Sequence, residues 1–227
     1  MHLLPEEKLI WSPIVANSRM NRERNASGIN SYEQELGFKP ELFLEEKIKQ
    51  CGKASWMDLC CGAGRALIQT ENHFRTIKMS KKVHLEGIDL LNSFSNHQKK
   101  ESKIKFNVMP ILDWQSKNEY NLITCIHGLH YIGDKLKIIE LAVDRLTKDG
   151  LFIANIDLGN ISVKNNKSTA YIKSLFLKNG FHYDGRKKML KISGNKKVHF
   201  GLNYLGADDS LGPNYTGQDY VLSWYSL

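Results

Sequence analysis

The 227-residue sequence has no apolar run approaching the roughly 20 residues that cross a bilayer, and its most apolar segments have the length of strands. It opens without a charged leader followed by an apolar stretch, so a soluble, cytoplasmic protein is expected. Cysteine is sparse and ill-spaced for metal. Cys51, Cys60, Cys61 and Cys125 form neither a C-x-x-C pair nor a paired zinc spacing, and adjacent Cys60 and Cys61 do not readily share an unstrained disulfide. They read as reduced, small, buried side chains, with no metal site expected. Internal repeats and low-complexity tracts are also missing. Acids are outnumbered by bases, 24 to 32, for a net charge of +8. The lysines are scattered through 78–82, 99–105, 164–178 and 187–197 with few aromatics among them, the pattern of solvated faces rather than of a nucleic-acid stripe. With 41% hydrophobic residues, the chain suffices for one domain with a sizeable core.

The stretch ASWMDLCCGAGRALIQT, 54–70, changes character midway. Residues 55–59 have the mostly apolar look of a buried strand, 60–64 turn tightly because Gly62 and Gly64 lack Cβ, and good helix formers follow from Arg65. A turn of this kind lets a ligand approach bare backbone and the free N–H groups of a new helix. The dinucleotide fingerprint G-x-G-x-x-G is not met, since Cys60 stands at its first glycine and Leu67 at its last.

Residues 1–38 are polar and irregular, expected as short helices or loop lying on the main domain, and 40–50 read as a helix stopped by Gly52. We therefore divide the chain into a cap segment with the first helix, 1–50, and a main domain, 51–227. After the glycine turn, helices are expected over 65–74, 91–100, 134–147 and 168–179, and strands over 82–89, 103–108, 120–126 and 151–156. Three further strand-like runs cover 181–192, 197–205 and 220–225. The alternation predicts an α/β fold with a parallel sheet and helices on both faces. Asp89 ends the second strand about 25 positions after Gly64, near the roughly 20 at which an acid meets the ribose hydroxyls of an adenosine-type ligand. Asp113, beside Leu112 and Trp114, is suited either to an adenine amino group or to a turn.

As a set, DLCCGAG, EGIDL, ILDW, LITCIHGLHYIGD and KDGLFIANI resemble the class I S-adenosylmethionine-dependent methyltransferases over about 53–156. Asp58, Gly62 and Gly64 match the first motif, and Cys60 replaces its first glycine. The resemblance implies a Rossmann-like sheet of seven mostly parallel strands with an antiparallel last strand, and S-adenosylmethionine as cofactor with S-adenosylhomocysteine as product. By position, Asp58, Cys60, Gly62 and Gly64 would border the methionine part, Asp89 and Leu90 the ribose, and Leu112, Asp113 and Trp114 the adenine. His127 would lie near the sulfonium and the entering nucleophile. Since the family's sixth and seventh strands join at the carboxyl edge of the sheet, the 206–219 loop is expected there, bringing Asp208, Asp209, Asn214, Tyr215 and Thr216 toward the substrate. Arg19, Arg22, Arg24, Tyr32 and Tyr131 are the other residues assigned to the acceptor side.

Methyl transfer chiefly requires alignment in a dry pocket, and a base is needed only where the nucleophile arrives protonated. His127, His130 and Asp208 are the candidate catalytic groups. The N/D-P-P-Y/F sequence of adenine methyltransferases and a Pro-Cys nucleophile are both missing, which favours a small-molecule acceptor handled by a monomer or homodimer without a membrane. Two alternatives stay open: an RNA or protein substrate drawn by the basic surface, and a nicotinamide-dependent oxidoreductase.

Overall fold

Burial on both faces is what makes the central strands readable as apolar runs. In the computed structural model, which describes residues 3–16, 23–94, 101–165, 169–215 and 217–227, the strands expected over 55–59, 82–89 and 120–126 and the helix over 65–74 form within two residues of their expected bounds, whereas the strand expected from 151 begins at Leu146, inside the helix expected over 134–147. The elements run α1 (Glu6–Leu9), α2 (Tyr32–Leu36), α3 (Pro40–Cys51), β1 (Ala54–Leu59), α4 (Arg65–Thr76), β2 (Val83–Asp89), β3 (Lys105–Val108), β4 (Tyr120–Cys125), α5 (Lys135–Asp144) and β5 (Leu146–Asn155). Then come β6 (Ile161–Val163), α6 (Thr169–Lys178), β7 (His182–Asp184), β8 (Met189–Ser193), β9 (Asn203–Asp208) and β10 (Leu222–Ser226). No described helix is long and apolar enough to cross a membrane.

The main sheet has the order β3-β2-β1-β4-β5-β8-β7. β1 to β5 are parallel, and β8 alone runs against its neighbours, β5 and β7. This is a Rossmann-like sheet of seven mostly parallel strands whose last strand is antiparallel. Alternation along β1 sends Trp56 to the face covered by α3 and α4, where Leu44, Ile48, Leu67 and Phe74 are buried. Met57 and Leu59 go to the face covered by α5 and α6, among Ile138, Ile139, Ile172 and Phe176. Pro40 opens α3, and Gly52, at φ 79°, closes it.

Beyond the fifth strand the structure corrects the expectation. Residues 181–192 form not one strand but the hairpin β7–β8, because the Asp184 carboxylate accepts from the N–H groups of Arg186 and Lys187 and Lys188 turns with φ 51°. Residues 197–202 are irregular, and the strand starts at Asn203. The link between the sixth and seventh strands of the main sheet is therefore the turn 185–188. The 206–219 loop instead joins β9 to β10 of a separate three-stranded sheet, β6-β10-β9. Of the helix expected over 91–100, residues 91–94 are not helical and the remainder lies outside the described residues.

The two ends of the chain meet. Leu4 and Ala207 exchange backbone hydrogen bonds, and Leu9 is buried with Ala207 and Val221. Lys135 is wholly buried, its Nζ donating to the carbonyls of Ile132 and Val221 and to Ser223 Oγ at 2.7–2.8 Å. Those three acceptors suit an ammonium, while burial pulls its pKa down to about 7.

Candidate functional site

The parallel strands end together, and their carboxyl edge carries the polar residues. There β1 passes into the glycine turn, where Cys60, Gly62 and Gly64 all hold left-handed backbone, φ 58°, 58° and 69°. A Cβ on Gly64 would lie 2.5 Å from Phe106, so glycine is required twice over at that position. Asp89 ends β2 buried. Its Oδ2 accepts from the Gly62 N–H at 2.8 Å and its Oδ1 from the Leu91 N–H at 3.0 Å.

Beside Asp89 is a cavity bordered by Cys60 and Leu90, by Met109, Pro110 and Ile111, and by Gly128, Tyr131 and Ile132. Glu6, Ile10 and Val15 of the N-terminal segment close its outer side. Asp89 offers a diol acceptor beside a mostly apolar surface for a flat ring, which fits an adenosyl group, and Glu6 adds a second carboxylate on the outer side. Of the residues assigned to adenine, none borders this cavity. Leu112 and Asp113 continue the short 3-10 turn after Ile111, and Trp114 turns inward, buried against Tyr120. The lining residues come one turn earlier.

Asp58 does not face the cavity either, because strand alternation sends it to the α2–α3 face. It is fully buried, with Oδ1 accepting from Thr124 Oγ1 at 2.6 Å and Oδ2 from the Tyr32 hydroxyl at 2.9 Å. Burial pushes its pKa up to about 7. Tyr32, assigned to the acceptor, is thereby held inside the domain, edge-on to Trp56.

On the other flank, β4 ends at His127, whose φ is 61°. Its Nε2 lies 2.9 Å from Glu35 Oε1, and its backbone N–H donates to Asn155 Oδ1 at 3.2 Å. The His130 ring stands 6.0 Å away and is buried. Its Nδ1 faces Asn160 Nδ2 at 3.0 Å, and its Nε2 has no partner among the described residues. Desolvation, aided by the charges of His127 and Lys135, drives its pKa down to about 3, so His130 is a neutral group and a poor base. Tyr215 stacks edge-on to His130 at 5.7 Å and lies beneath Lys188 at 5.8 Å, while Lys188 pairs with Asp157. The 206–219 loop thus reaches the site from the second sheet.

Other residues of that loop do not. Asp208 is occupied by the N–H and hydroxyl of Ser210 at the end of β9, Asp209 is half-buried beyond it, and the Asn214 N–H is bonded to Gln218 within the loop. Arg24 pairs with Glu35. Arg19, Arg22 and Thr216 lie outside the described residues. Sequence reasoning overlooked Glu35, Asn155, Met109 and Asn160. Asn155, at the carboxyl end of β5, could have been found from the edge rule alone; Glu35 leaves no such signal.

The model of a family described as a methyltransferase domain matches residues 29–187, well over half the chain. No curated protein sequence matches. Among solved structures, the plantazolicin methyltransferase BpumL with a monoazolic desmethylPZN analog and SAH is 18% identical, over 50% of this chain and 44% of that one, at TM-score 0.41. The N-methyltransferase NodS from Bradyrhizobium japonicum WM9 with S-adenosyl-L-homocysteine is 14% identical, over 72% and 87%, at 0.43. CalS10, an amino pentose methyltransferase from Micromonospora echinaspora, is 13% identical, over 55% and 50%, at 0.40. The chain spans about half the length of BpumL. With the matched segment running from α2 through the glycine turn, Asp89 and His127 to the β7–β8 turn, the chain belongs to this methyltransferase domain family.

Proposed function

We propose that the protein transfers a methyl group from S-adenosylmethionine to a small-molecule acceptor. The observation that carries the reading is the cavity at the carboxyl edge, bordered by Asp89, which the glycine turn fixes, and by Gly128, the residue that follows His127. Asp89 would hold the ribose hydroxyls, Met109, Pro110 and Ile111 would border the adenine, and Glu6, Ile10 and Val15 of the N-terminal segment would cap the cavity. S-adenosylmethionine supplies a methyl carbon on a sulfonium: the acceptor heteroatom gives its electron pair to that carbon, and the carbon–sulfur pair returns to sulfur, leaving a neutral thioether.

The chain's own part is to bind, align and take a proton. His127 is the catalytic group of this reading, placed to receive the proton of the acceptor. His130 stays neutral, and Asp208 is withdrawn from the role by its bonds to Ser210. A small acceptor is favoured over RNA because the broad groove bearing Lys53, Lys81, Lys82, Lys117 and Lys148 opens at the amino ends of β1, β2 and β4, opposite the site.

Thermal melting tests the reading. S-adenosylhomocysteine should raise the melting temperature and NAD(P) should leave it unmoved. Asp89→Ala should weaken S-adenosylhomocysteine binding by about 1–3 kcal/mol in calorimetry, through lost charge-assisted hydrogen bonds. A screen of amines, phenols and carboxylic acids against labelled methyl donor would then identify the acceptor class.

A further inference from the structure

Glu35 lies on α2, ahead of the glycine turn, and reaches the carboxyl ends of β4 and β5. Its Oε1 meets His127 Nε2 at 2.9 Å, and its Oε2 accepts from Asn155 Nδ2 at 3.3 Å. Asn155 in turn holds the His127 backbone N–H through Oδ1. Arg24 stands 3.4 Å from the same carboxylate. His127 is thus gripped at ring and backbone in a left-handed conformation, φ 61°, that a residue with a Cβ adopts only under strain. Such strain persists where the surroundings over-determine it, commonly at functional positions.

The bond from His127 is the largest cause holding the Glu35 carboxyl below its usual range, so Glu35 is ionised at neutral pH. A carboxylate only accepts hydrogen bonds. The proton of the neutral imidazole is then on Nε2 and its lone pair on Nδ1, which has no hydrogen-bond partner among the described residues. Other polar groups near the ring include Arg24, Asn155, His130 and Tyr215.

We infer that Glu35 is a positioning residue that fixes His127 as the Nε2–H tautomer, so that Nδ1 takes a proton from the methyl-accepting group. This rests on the role of His127 proposed above and narrows the acceptor to one that arrives protonated, such as an amine, phenol or carboxylic acid.

The test is long-range 1H–15N spectroscopy of the full-length chain labelled in histidine, at alkaline pH, with and without S-adenosylhomocysteine. His127→Gln assigns the signals. The wild-type ring should be predominantly Nε2–H. Glu35→Leu should give mixed tautomers, whereas Glu35→Gln, which keeps an acceptor oxygen, should retain the wild-type form. Circular dichroism checks that the variants fold, and Glu35→Ser replaces the leucine variant if it does not. On an acceptor found in the screen, Glu35→Leu should lower kcat by about 100-fold with KM for S-adenosylmethionine unchanged, and Glu35→Gln should recover most of the loss. An Nε2–H tautomer that persists without the carboxylate, or turnover that Glu35→Leu leaves intact, overturns the inference. Failure of the wild-type chain to bind S-adenosylhomocysteine overturns the proposed function instead, and the tautomer comparison still decides the role of Glu35.

Discussion

Cys60 stands where the family's first motif has glycine, and it adopts the left-handed backbone that glycine usually supplies, φ 58°. Its side chain fits because the residue opposite has none. A Cβ on Gly128 would lie 2.4 Å from Cys60 Cβ and 2.8 Å from its sulfur. The missing Cβ has in effect moved across the contact, from the glycine turn to the end of β4. Gly128→Ala should therefore destabilise the protein by about 1–3 kcal/mol through overpacking. Cys60→Gly should recover part of that in the double variant, since it removes the overlap with Cys60 and a left-handed Cβ while the 2.9 Å approach to Cys125 Sγ remains. Urea unfolding of the four proteins measures the coupling, and strictly additive single effects would refute the contact.

Three elements are tied together by one buried polar chain: Trp56 of β1 donates to Thr124 of β4 at 2.7 Å, Thr124 to Asp58, and Tyr32 of α2 to Asp58. Desolvation raises the Asp58 pKa from 3.8 to about 7. Between those values the folded protein keeps a proton that the unfolded chain has released, so this carboxyl makes stability fall as pH rises through the window. Asp58→Asn mimics the protonated acid. The melting temperature of the variant relative to wild type should climb from pH 4 to 7 and then level off, whereas parallel curves would show that Asp58 does not titrate there. His130, with its lowered pKa, contributes the opposite slope, but equally in both proteins. Asp58 was legible as an acid ending an apolar run, and β1 and β4 were legible because burial on both faces leaves a near-continuous hydrophobic signature. Its orientation was not, since a strand read without its neighbours does not reveal which face an acid takes. α2 shows why Glu35 escaped notice: five residues, mostly polar, of which Tyr32 alone is buried. The β7–β8 hairpin was missed although Asp184 and Gly185 mark a turn in the sequence, because the run on either side was read as one strand and the left-handed residue is Lys188 rather than a glycine.

At the scale of the molecule, the parts outside the matched family segment, 29–187, belong together. The N-terminal segment lies along β9 through the Leu4–Ala207 pair, and Leu9 packs with Val221 ahead of β10. Glu6 is the catch between this unit and the sheet: its carboxylate accepts from the Asp134 N–H and the Tyr204 hydroxyl, both at 3.3 Å. Because Glu6, Ile10 and Val15 also border the cavity, the catch and the cavity share a wall. Gly133 makes this approach possible, for a Cβ there would lie 1.9 Å from Glu6 Oε2 and 2.3 Å from the Tyr204 hydroxyl. Gly133→Ala must therefore push the segment outward or shift β9. Its expected effects are faster hydrogen exchange at the Leu4 and Ala207 amides, as local opening becomes easier, and about tenfold weaker S-adenosylhomocysteine binding, equivalent to about 1.4 kcal/mol. Faster exchange with unaltered affinity would mean that the segment covers the cavity without contributing to binding. If both stay at the wild-type level, the methyl is absorbed elsewhere and Glu6 is not the catch.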